Sequence, residues 1–180
     1  FHPLPPARIF DTRNGTGGPA FPVGPASTVS VAVTGVGGVP ATGVEAVVLN
    51  VTVTQPSGGG FLTIYPSGTT RPLASNLNFL PGQTIPNLVV AKVGADGRVA
   101  VYNYVGASHV IFDVVGWYGA ENAPVGSRYT ALTPARILDT RYGTGGFSAP
   151  IGPAGTIRPA TAYAPSTAAA AAAYGLMTVM

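Results

Sequence analysis

Residues 46–54 read Ala-Val-Val-Leu-Asn-Val-Thr-Val-Thr, and this stretch decides the fold. Val47, Leu49, Val51 and Val53 fall on one face, and Asn50, Thr52 and Thr54 on the other. Successive side chains of an extended chain point to opposite sides, so a period of two with β-branched residues marks a strand with one buried face. The same reading extends outward in both directions. Val29–Thr34 alternates, Phe61–Tyr65 follows the Ser57–Gly60 turn, and Asn76–Phe79 is short and bounded by Pro81-Gly82. Leu88–Val93 is nearly all apolar and reads as a central strand. Asp96-Gly97 is a hairpin signal feeding Arg98–Tyr104, and His109–Tyr118 closes the series. Ala7–Arg13 is an eighth candidate, its side chains dividing into Arg8, Phe10 and Thr12 against Ile9, Asp11 and Arg13. Nothing before residue 160 has helical period.

Strands at this spacing predict an all-β fold, a two-sheet antiparallel β-sandwich of seven or eight strands with extended Gly/Pro-rich arms. Val31, Leu49, Val51, Ile64, Val90, Val101 and Phe112 are its expected core.

Composition agrees. Only 8% of the 180 residues are charged, against roughly 25% in an average soluble domain. Gly and Pro number 25 and 18, yet 46% of the chain is hydrophobic, too much for a disordered polymer. The net charge of +3 rests on arginine, Lys92 being the sole lysine, and no basic run points to nucleic acid. A surface with so little charge offers little self-repulsion and suits close assembly. Cysteine is absent, which excludes disulfides and thiol chemistry. No apolar run of 18 residues predicts a membrane span. The opening at Phe1, with no signal peptide, is expected of a processed form or a piece of a longer protein.

The chain also repeats itself. Residues 6–26, PARIFDTRNGTGGPAFPVGPA, recur at 134–154 as PARILDTRYGTGGFSAPIGPA, with 15 of 21 positions identical at an offset of 128. A period that long is a whole domain plus the opening of a second. The organisation expected is an N-terminal arm at 1–26, a sandwich at 27–120, a linker at 121–128 and a second arm at 129–158. An Ala-rich tail at 159–180 no longer follows the first copy.

PARIFDTRNGTGG, GVPATGVEAVVLNVTVTQP, GFLTIYPSGTTRPLASNLNF, GQTIPNLVVAKVGADGRVAVYN and HVIFDVVGWY together resemble the DTR-type tandem repeat of exported proteins of actinobacteria and related bacteria. The resemblance covers residues 1–128, with a partial copy to about 158. It implies a secreted or cell-surface, non-catalytic β module.

The candidate site follows from the scarcity of charge. Arg8, Asp11 and Arg13, and their second copy Arg136, Asp139 and Arg141, offer carboxylate–guanidinium pairs suited to locking an arm onto a sheet. Asp113, inside the apolar HVIFDVVGWY, needs a partner, and these arginines are the available ones. Tyr102, Tyr104, Trp117 and Tyr118 form a candidate glycan platform. Ser108, His109 and Asp113 make a triad only on paper, because Ser108 and His109 are strand neighbours facing opposite sides and no nucleophile elbow is present. The single carboxylate of the Asp11–Thr16 loop is too little for calcium, and two lone histidines too little for another metal. No cofactor is expected.

Two arms for one sandwich imply exchange. A segment docked on a neighbour's sheet edge gains main-chain hydrogen bonds, and a head-to-tail contact that does not close builds a filament. The reading is therefore a non-catalytic, self-associating subunit of an extracellular filament or surface layer. The alternative is a carbohydrate- or cell-wall-binding module of a secreted hydrolase.

Overall fold

The computed structural model describes residues 1–119 and 138–158, which belong to two compact units. The first unit is an antiparallel β-sandwich, and no helix occurs among the described residues. Its strands are β1 (His2–Asp11), β2 (Ser27–Ala32), β3 (Val44–Thr54), β4 (Gly60–Pro66), β5 (Leu77–Phe79), β6 (Ile85–Lys92), β7 (Arg98–Asn103) and β8 (His109–Gly119). They form two four-stranded sheets, ordered β1-β8-β3-β6 and β2-β7-β4-β5.

Strand β3 behaves as its alternation requires. Val47, Leu49, Val51 and Val53 are fully buried and meet Val31, Leu62, Val99 and Val101 of the other sheet in one core. Phe10 and Phe112 add the largest buried rings, with centroids 5.4 Å apart. Of the expected core, Val31, Leu49, Val51, Ile64, Val101 and Phe112 are buried.

Val90 is not: it is 58% exposed, as is Leu88 at 61%, while Val89 and Ala91 turn inward. The apolar run belongs to an edge strand, paired only with β3, and not to a central one. An edge strand still alternates, so half of an apolar run there meets solvent.

Residues 1–26 contain β1, which pairs with β8 and fills one edge of the first sheet. The chain then returns through Val23, bonded to Ser108 in both directions at 2.9 and 3.0 Å. Edge position explains how β1 tolerates Pro3, Pro5 and Pro6, which have no N–H to give. The expected division of side chains along β1 is altered by a bulge. Arg8 pairs with Asp113 and Phe10 with Phe112, leaving Ile9 as an extra residue. Arg8 therefore shares its face with Asp11, and Phe10 drops into the core.

Candidate functional site: a carboxylate lock on strand β1

The lock is built where β1 ends. Asp11 is fully buried, and its carboxylate accepts four hydrogen bonds. Arg13 donates its backbone N–H at 3.0 Å, Nε at 3.0 Å and Nη2 at 2.7 Å. Arg8 adds Nη1 at 3.3 Å and turns the rest of its fork to Asp113, with Nε and Nη2 donating at 2.9 and 3.2 Å. One guanidinium thus ties β1 to β8 while also touching the carboxylate that ends β1. The hydrogen bonds of Arg13 hold the Asp11 carboxyl down at about 2, against the usual 3.8, and overcome the opposing effect of burial. Arg8 and Arg13 are raised, chiefly by their bonds to Asp113 and Asp11 respectively.

The backbone around Asp11 closes a tight turn. Asp11 N–H donates to Thr16 O at 2.9 Å, and Gly15 N–H to Asp11 O at 3.0 Å. Gly15 and Gly17 have φ of 84° and 63°, the left-handed region where a side chain is strained. At Gly17 a Cβ would also collide with the carbonyl of Ile9. Thr12, fully buried, accepts from Val110 N–H through its hydroxyl at 3.0 Å, and the same oxygen lies 3.0 Å from His109 Nδ1.

The second unit repeats this turn. Asp139 accepts Arg141 N–H at 3.0 Å, Nε at 3.0 Å and Nη2 at 2.8 Å, and its own N–H donates to Thr144 O at 3.1 Å. Gly143 and Gly145 have φ of 73° and 80°. Arg141 is raised, chiefly by its hydrogen bond to Asp139. Tyr142 stands where Asn14 stood, so the two bonds that Thr16 donates to Asn14 Oδ1 are dispensable and D-T-R-x-G-T-G carries the turn. Arg136 lies outside the described residues.

Of Ser108, His109 and Asp113, the last two are held in side-chain contacts, and the Ser108 hydroxyl is buried with no hydrogen-bond partner among the described residues. Asp11 and Asp113 face guanidinium groups, and His109 faces Thr12 while Ser108 is fully buried. Among the described residues no three His, Cys, Asp or Glu side chains gather as a metal site, and no helix is long and apolar enough to cross a membrane.

The four aromatic candidates do not make one platform. Trp117 stacks on His2 at 3.9 Å and Tyr118 lies 5.2 Å from Phe1, both on the β1–β8 sheet. Tyr102 and Tyr104 belong to the opposite sheet, where Phe61 stacks on Tyr104 at 4.7 Å and Arg71 covers the Tyr102 ring at 3.7 Å. Phe61, Tyr65 and Arg71 were not singled out from sequence. The alternation of Phe61 and Tyr65 with buried Leu62 and Ile64 was the available signal, but placing them beside Tyr102 requires the β4–β7 pairing. Thr12 and Gly17 are likewise additions made by the structure, as is the contact of His109 with Thr12. No protein-family model matches the chain, and no curated protein is similar to it.

Proposed function

We propose that this protein is a non-catalytic structural subunit of an extracellular filament or cell-surface layer, assembling head to tail by arm exchange. The observation that carries this reading is the second Asp–Arg turn. Asp139 and Arg141 reproduce the bonds of Asp11 and Arg13 to within 0.1 Å, in a unit separate from the sandwich that the first copy completes. The edge of β8 has one place, and the chain carries two segments written for it. When a second copy takes that place on a neighbour, Arg136 pairs with Asp113 there and Leu138 fills the site of Phe10. Low charge and DTR-type resemblance favour an exported, closely packed assembly. Engagement of Asp11, Asp113 and His109 in structural pairs favours a role without catalysis.

Electron microscopy of the full chain tests it. Ordered fibres that survive dilution, and that are lost when Asp139→Ala and Arg141→Ala are combined, are expected. A monodisperse monomer whose residues 129–158 stay protease-sensitive at every concentration refutes arm exchange. The second reading, a carbohydrate-binding module, is favoured by one observation: Tyr104 is 50% exposed beside its stacked partner Phe61. Polysaccharide pull-down that is lost in Tyr104→Ala and unaffected by Asp139→Ala would favour that reading.

A further inference from the structure

We propose that the outer edge of β6, which pairs with no strand other than β3 among the described residues, is a second, two-fold interface at which two copies of this chain pair laterally, independently of the arm. The two edges of the first sheet are β1 and β6. Strand β1 is guarded: it carries Pro3, Pro5 and Pro6 and two register irregularities against β8. Prolines and bulges are devices that stop an edge from pairing further. Strand β6 has neither in its body. It runs opposite β3 from Ile85 to Lys92 without a register shift, and only Pro86, near one end, lacks an N–H. Its outward face presents Leu88 and Val90, each more than half exposed. In the other sheet, β5 has only three residues and β2 turns Thr28 and Ser30 outward, so neither edge offers an equal apolar pair.

The sequence of β6 also selects the occupant. Centre an antiparallel pair of β6 strands on Val89, and Leu88 of one copy lies directly opposite Val90 of the other, twice over. Both side chains are on the outer face, so the sheets join with their cores on the same side. Lys92, the only lysine in the chain, then falls opposite Pro86. The two Lys92 residues are six positions apart, about 20 Å at ~3.4 Å per residue, beyond a Debye length of roughly 8 Å at physiological salt. A parallel in-register pair would set them side by side about 5 Å apart. The strand thus fits a reversed copy of itself and repels a parallel one. Such an isologous contact closes on itself, so it makes pairs of subunits, whereas the arm makes strings.

The test uses the full chain with Asp139→Ala and Arg141→Ala, which removes the arm contact, in light scattering coupled to size exclusion. The expected mass is twice 18.1 kDa. Adding Leu88→Lys and Val90→Lys should halve it, because lysine then faces lysine across the two-fold. Leu88→Lys with Val90→Glu should restore the dimer, because lysine then faces glutamate. Both positions are exposed, so the variants should keep the parent's thermal transition. A monomeric parent, a dimer unchanged by the two lysines, or a Lys/Glu variant that stays monomeric each overturns the proposal. None of these outcomes bears on whether the unmodified chain forms fibres through its arm.

Discussion

Asp11→Asn keeps the shape of the side chain, removes its charge and puts a donor where Arg13 or Arg8 needs an acceptor. The displacement of the carboxyl from 3.8 to about 2 corresponds to about 2 kcal/mol of folding free energy at neutral pH. The partner side chains of Arg8 and Arg13 are 44% and 43% exposed, and solvent screening lowers the net effect to about 1–1.5 kcal/mol. Neither arginine is stranded in the interior by the change, so no penalty for an unpaired buried cation is added. The sign follows from the direction. A carboxyl whose folded value is depressed stabilises the fold above its ordinary value, and loses that stabilisation as pH falls from about 4 towards 2. Urea unfolding followed by the fluorescence of Trp117, the single tryptophan, reports on the strand itself, because Trp117 stacks on His2 of β1. The native chain should exceed Asp11→Asn by about 1–1.5 kcal/mol at pH 7, and the gap should shrink steadily below pH 4. A gap under about 0.3 kcal/mol at pH 7, or one that does not narrow in acid, refutes the lock.

Phe10→Ala should cost about 3–5 kcal/mol, whereas Phe10→Leu, which installs the residue of the second copy, should cost under about 1.5 kcal/mol. Thermal melts that place the two together would show that Leu138 does not fit the Phe10 site. Gly17→Ala should cost at least ~2 kcal/mol of stability, seen as a sharp fall in melting temperature, since positive φ and the Ile9 carbonyl both oppose a Cβ. Arg8→Ala, at a partly exposed pair, should cost only about 0.5–1 kcal/mol in chemical denaturation, with a larger loss showing that Arg8 also organises the Asp11 turn.

The strands were legible because their buried faces are written in Val, Leu, Ile and Phe at a period of two, as in β3. Strand order was not. Leu88 and Val90 look the same in sequence whether the strand is central or at an edge, and only the pairing with β3 alone shows that they meet solvent. The shortage of charge pointed to one of the motif arginines as the partner of Asp113, and the register of β1 against β8 makes it Arg8. Its simultaneous contact with Asp11 was not anticipated, because a single extra residue at Ile9 shifts which side chains share a face. Tyr102 and Trp117 sit near one another in sequence order yet lie on opposite sheets, since β7 and β8 belong to different layers.

Arm exchange is tested most directly by trapping the arm in its acceptor. The chain has no cysteine, so introduced pairs report without background. Arg8 lies opposite Asp113 on the outer face, and Arg136 is its counterpart in the second copy. Full chain carrying Asp113→Cys and Arg136→Cys is oxidised mildly and run on a non-reducing gel, beside Asp113→Cys with Arg8→Cys. A ladder of disulfide-linked multimers is expected from the first pair, collapsing to monomer on reduction. A first pair that yields monomer alone, while the Arg8 pair cross-links efficiently within single chains, contradicts arm exchange.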